Sequence, residues 1–162
     1  TRPPVKPTPP PPPPTFPDSG DTPGCRREFK IRGDTRYIRE VREAVGEAIR
    51  AVKGDTVDAN ILVLAVDEAV TNVIEHAYDH GRMEGWIHLQ VAVGLDRFEV
   101  VIRDTGKKFD PAAIPDPNIA EHLRKGRRRG LGIYLMRQIM DEIIYNFRDG
   151  LQNELTMIKY FA

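Results

Sequence analysis

From Thr35 to Lys53 the apolar residues Ile38, Val41, Val45, Ala48, Ile49 and Val52 recur at spacings of three and four, which predicts an amphipathic helix stopped by Gly54. Asp55 is placed to cap a second helix, predicted to reach about Tyr78. Its opening residues (Val57, Ile61, Leu62, Val63, Leu64, Ala65, Val66) are so apolar that it should lie largely buried. Ahead of both helices, Arg26 to Ile31 alternates polar and apolar and predicts an edge strand. Trp86 to Val93, ending at Gly94, and Phe98 to Ile102 predict a hairpin. A further helix opens at Gly130-Leu131-Gly132 and runs to about Met140. Ile143 to Phe147 and Glu154 to Phe161 form a last hairpin around Asp149-Gly150. The sum is an α/β protein, an α+β two-layer sandwich with its helices on one face of a mixed, mostly antiparallel sheet.

Proline changes the picture at the start of the chain. Eleven of the 14 prolines fall in the first 23 residues, including the unbroken run Pro9 to Pro14. Such a segment favours extended polyproline II and lacks the apolar side chains needed to order it. Residues 1–24 are therefore expected to be a disordered tail or linker, and residues 25–162 the globular domain. Asp104 to Arg129 has no clear periodicity, and an irregular stretch of that length inside a compact domain is uncommon unless it is functional.

Charge narrows the partners. Lys plus Arg and Asp plus Glu both total 24, so neither nucleic acid nor an anionic membrane is expected as a direct partner. Cys25 is the only cysteine, which excludes an internal disulfide and fits a reducing, cytoplasmic setting. No apolar run approaches the roughly 18 residues that span a bilayer, and no signal-peptide pattern opens the chain. His76 and His80 are four residues apart but have no evident third ligand, so zinc is not expected. Trp86 and Tyr134 are expected in or near the core.

Three local patterns carry chemistry. In the second helix, the face of Ile61, Leu64 and Ala65 continues by steps of three and four to Glu68, Asn72 and then Glu75 or His76. A carboxylate extending an apolar stripe either turns to solvent or needs a cation, a metal or a cavity as partner. Asp104 follows the apolar run Val100-Val101-Ile102-Arg103 and precedes Thr105-Gly106, which suits either an ordinary turn or an acceptor for an exocyclic amine such as that of adenine. Gly130 and Gly132 at a helix start would let backbone amides approach a phosphate.

Taken in order, Asp67-Glu68-Ala69-Val70-Thr71-Asn72, Asp104-x-Gly106, a long loop, Gly130-x-Gly132 and a final strand bearing Thr156 resemble the GHKL (Bergerat-fold) ATP-binding superfamily of gyrase-type ATPases and histidine kinase catalytic domains. Glu68 through Tyr78, Leu131 through Met136 and Met140-Asp141-Glu142 are most similar to the anti-sigma factor serine/threonine kinases of bacterial partner-switching systems. The resemblance covers Phe29 to about Phe161. It implies Asn72 as ligand of a Mg²⁺ ion bridging the phosphates of ATP, and Glu68 as general base towards a protein hydroxyl. It implies Asp104 on the adenine amino group supported by Gly106, with Thr156 contributing through water. Gly130, Leu131 and Gly132 would close over the phosphates, with Arg127, Arg128 or Arg129 neutralising charge. Lys107-Lys108 stands where relatives often carry a further glycine, and Arg124, Lys125 and Arg127 to Arg129 make the loop unusually basic. That run is a solvated face, a phosphate clamp or a docking patch for an acidic partner.

The activity implied is phosphorylation of a STAS-domain anti-sigma factor antagonist by a protein that also binds a sigma factor or other output protein, as a homodimer. Two alternatives are a non-catalytic, nucleotide-dependent switch that activates a phosphatase, and a histidine kinase catalytic domain. The second predicts an upstream phosphoacceptor histidine, and no histidine precedes His76.

Overall fold

A computed structural model describes residues 24–109, 118–124, 131–148 and 152–161. The proline-rich segment expected as tail or linker, the turn at Asp149-Gly150, and Lys125, Arg127, Arg128, Arg129 and Gly130 lie outside them.

Among the described residues five strands form one sheet: β1 (Cys25–Arg32), β2 (Trp86–Val93), β3 (Arg97–Asp104), β4 (Glu142–Arg148) and β5 (Gln152–Tyr160), in the order β1-β2-β3-β5-β4. Every pairing is antiparallel, so the sheet is not mixed; parallel neighbours would need crossover connections, and here each paired strand runs against its neighbour. The first strand is at an edge, as its alternation predicts.

Asp34 opens the helical layer by accepting a hydrogen bond from the Arg36 amide, starting a 3₁₀ turn (Thr35–Tyr37) that leads into α1 (Ile38–Lys53). Gly54, with φ 54°, ends α1. The cap of α2 (Ala59–Asn72) is Asp58 and not Asp55: the Asp58 carboxylate accepts from the Asn60 amide at 3.0 Å. A π-helical turn, Val73–Ala77, continues α2. The third and fourth helices are α3 (Ile119–Arg124) and α4 (Leu131–Ile139). Helix α1 packs on β1, β2 and α2, and α2 packs on α4.

The core fills the space between the layers. Val41, Val45 and Ile49 of α1, Leu62, Val66 and Val70 of α2, and Ile87, Leu89, Phe98, Val100, Ile102 and Met157 of the sheet are all essentially buried. Strand alternation assigns the opposite sheet face to polar residues. There Arg103 donates to Glu154 at 2.8 Å and to Gln90 at 2.7 Å, and His88 meets Glu28 at 2.6 Å. Glu99 is buried on that face, and burial pushes its carboxyl above the usual range. Trp86, expected near the core, is 52% exposed, with the Arg32 guanidinium 4.6 Å over its ring. Tyr134 is half-buried. Among the described residues no helix is long and apolar enough to cross a membrane.

Candidate functional site

Helix α2 is apolar over much of its circumference, and Leu62, Ala65, Val66, Ala69 and Val70 are buried. Ile61 and Leu64, expected as core, are 47% and 39% exposed. The stripe from these residues to Glu68 and Asn72 therefore runs along the border of the core, towards α4. There the two helices meet in two rungs. A methyl group at Gly132, in the first turn of α4, would collide with the Glu68 carboxylate. One turn later, Asn72 Nδ2 donates to Met136 Sδ at 3.6 Å. The weak sulfur acceptor takes the amide nitrogen, which leaves the carboxamide oxygen as the donor a hard cation prefers.

Glu68 is half-buried at this junction. Burial raises its pKa most, Asp67 and Glu75 raise it further, and Arg42 pulls it down. Arg42 itself is held by Asp67 at 2.7 Å. A carboxyl raised in this way is a stronger proton acceptor once ionised than one free in water.

Opposite α2, β3 ends on Asp104, which is 6% exposed. Its Oδ1 accepts from the Gly106 amide at 3.0 Å and from Asn153 Nδ2 at 2.9 Å. Burial raises the Asp104 pKa, and these two hydrogen bonds oppose the rise. Among the described residues both hydrogen bonds fall on one oxygen, and the other can accept from an outside donor. Gly106 has no room for a side chain, because a Cβ would lie 2.7 Å from the carbonyl carbon of Ala77 in the π turn. The Lys107 amide donates to the Ala77 oxygen at 2.8 Å.

Between these walls lies a cleft that opens to solvent. Asn72 and Val73 line one wall and Asp104 and Asn153 the other; Phe109, Tyr145 and Phe147 supply aromatic surface, and Lys107 a charge. A mostly apolar cleft with a few fixed polar groups matches what a planar base requires. Phe109 stacks on His76 at 4.1 Å between centroids. Among the described residues no group of three or more His, Cys, Asp or Glu side chains is placed to hold a metal ion. A cation at Asn72 would take its other ligands from water and phosphate oxygens.

The structure brings Asn72 and Asp104 to the cleft, with Gly106 hydrogen-bonded to Asp104, and sets Glu68 against Gly132 one turn of α2 away; Leu131, at the start of α4, is half-buried. Arg124, at the end of α3, is exposed. Thr156 is not part of this arrangement. It pairs with Val101 and shares the polar sheet face with Arg103 and Glu154, because residues of even and odd position leave a strand on opposite sides. Asn153, directly across from Asp104 in the ladder, stands where Thr156 was expected. Sequence reasoning missed Asn153, to which no spacing rule points.

With this geometry in place, comparison with known proteins is specific. A family model described as a histidine kinase-like ATPase domain matches residues 31–159. The chain is 30% identical over 137 residues to a protein of Staphylococcus epidermidis named serine-protein kinase RsbW, covering 82% of this chain and 85% of that one. It is 31% identical over 144 residues to the protein of the same name from Staphylococcus aureus strain JH9, with the same coverage.

Proposed function

The chain belongs to the histidine kinase-like ATPase family, and from that premise we propose that it is an ATP-dependent protein serine/threonine kinase that acts as an anti-sigma factor. Its phosphoacceptor is a STAS-domain antagonist, and its second partner a sigma factor or other output protein. The observation that supports the reading is that Asp104 and Asn72 line one cleft while Glu68 lies one turn of α2 beyond Asn72, an order that would suit the base, the phosphates and the reacting end of a nucleotide.

Asp104 fits the base end. Gly106 and Asn153 fix one carboxylate oxygen, and the other is an acceptor that suits the exocyclic amine of adenine. Asn72 fits the phosphate end, holding a Mg²⁺ ion through its amide oxygen. When bound, ATP with its metal supplies the transferable phosphoryl group. Glu68 takes the proton from the attacking serine or threonine hydroxyl onto its carboxylate. Its partial burial against α4 limits the water around that carboxylate, and Gly132 leaves it the space it needs. The lid residues expected to neutralise charge, Arg129 and Gly130 among them, belong to the same proposal. Phosphorylation adds a charge of about −1.5 to −2 to the antagonist, weakens its docking and frees the kinase for its other partner.

The test is transfer of labelled phosphate from Mg·ATP to a cognate STAS protein. Wild type should transfer, and Glu68→Gln should not, while still binding nucleotide. Full transfer by the variant would remove Glu68 from the role.

A further inference from the structure

We propose that Tyr78 is a positioning residue for base recognition, whose hydroxyl sets the Asp104-Thr105-Gly106 turn and so couples adenine selectivity to the helix that carries Asn72 and Glu68. The inference rests on the nucleotide-site reading and deepens it.

Among the described residues Tyr78 is the largest fully buried side chain, 1% exposed, at the end of the π turn that continues α2. Its hydroxyl donates to the Trp86 carbonyl at 2.7 Å and accepts from the Thr105 amide at 3.0 Å. Both partners are backbone groups from different segments, one at the start of β2 and one immediately after Asp104. The ring is clamped between two glycines: a Cβ at Gly33 would lie 2.6 Å from Cδ2, and one at Gly85 would lie 2.6 Å from Cζ. The Gly33 amide in turn donates to the Gly85 carbonyl at 2.9 Å. After Tyr78 the chain turns through three left-handed residues, Asp79 (φ 48°), His80 (φ 57°) and Gly81 (φ 81°).

A tyrosine buried for packing alone needs one partner for its hydroxyl. This one serves two, and the second is the amide next to the residue that would read the base. With Ala77 holding Lys107, residues 77 and 78 of the catalytic helix grip residues 105 and 107 on either side of Gly106. The position of the Asp104 carboxylate therefore depends on the same helix as Asn72 and Glu68.

The test uses the intact protein and two nucleotides, ATP and inosine triphosphate, which carries an oxo group in place of the adenine amine. Wild type should prefer ATP on the order of a hundredfold, because an acceptor facing an oxo group gains nothing. Tyr78→Phe keeps the ring and removes the hydroxyl. It should weaken ATP by about tenfold and leave inosine triphosphate within about twofold, so that the preference falls from about a hundredfold to about tenfold. Equal weakening of both nucleotides would show a merely structural role and overturn the proposal. A wild type that binds neither nucleotide would instead overturn the reading of the site. A measurement on wild type alone guards against a variant that folds poorly: saturating ATP should slow hydrogen exchange of the Thr105 amide more than saturating inosine triphosphate does. Equal slowing overturns the coupling.

Discussion

Gly132 and Glu68 occupy complementary space: the first turn of α4 approaches α2 so closely that a single methyl group at position 132 would strike the Glu68 carboxylate. The obstructed atom is the end of a flexible side chain, so the fold can absorb the change and the carboxylate cannot keep its place. Gly132→Ala should therefore alter unfolding stability by less than about 1 kcal/mol, since alanine favours the helix. Phosphotransfer should fall by about 10²-fold, the cost of a misplaced reacting group. Denaturant titration beside single-turnover kinetics separates the two effects.

Phosphotransfer should depend on pH through Glu68. A general base must be ionised, so the rate rises as pH climbs through its pKa, which burial, Asp67 and Glu75 hold above the usual glutamate range. Asp67→Asn removes one raising charge and releases Arg42, so the acid limb of kcat/KM should move to lower pH. Arg42→Gln should move it to higher pH. Profiles of the three proteins give the signs directly.

Glu99 gives a stability counterpart. Its folded pKa is raised by burial, so the native state holds its proton more tightly than the unfolded chain. The resulting stability is fully present below the unfolded pKa and is lost as pH rises through the folded one. Glu99→Gln, neutral throughout, should be more stable than wild type at pH 7, on the order of 1 kcal/mol. Urea titrations at pH 7 and in mild acid should show the advantage shrinking as pH falls.

The final strand distinguishes Asn153 from Thr156. Asn153→Ala removes the side-chain donor on Asp104 and should weaken ATP binding by about tenfold. Thr156→Val lies on the opposite sheet face and should change affinity by no more than about twofold.

Much of this was legible in the sequence because amphipathic periodicity survives without tertiary context. The α1 stripe, the Gly54 stop, the strand alternation and the spacing of Glu68 and Asn72 are all local. The errors have a common physical cause. Helix α2 is apolar on too many sides for periodicity to choose its buried face, so pattern alone does not distinguish the exposed Ile61 and Leu64 from core residues. Asp55 and Asp58 are equally good caps in isolation, and only the helix start decides; Asp58→Ala should cost about 1 kcal/mol. Thr156 failed because facing in a sheet is set by register. The register of β3 against β5 is fixed across a long intervening chain that no turn motif spans.

Calorimetric titration of Mg·ATP into wild type, Glu68→Gln and Asp104→Asn tests the assignment of the cleft most directly. Asparagine at 104 must turn its amide group either to the Gly106 and Asn153 donors or to the adenine amine, and cannot accept from all three. One nucleotide per chain should bind to wild type and to Glu68→Gln with affinities within about twofold, while Asp104→Asn should bind at least about tenfold more weakly. No heat with wild type, or undiminished binding by Asp104→Asn, would contradict the account.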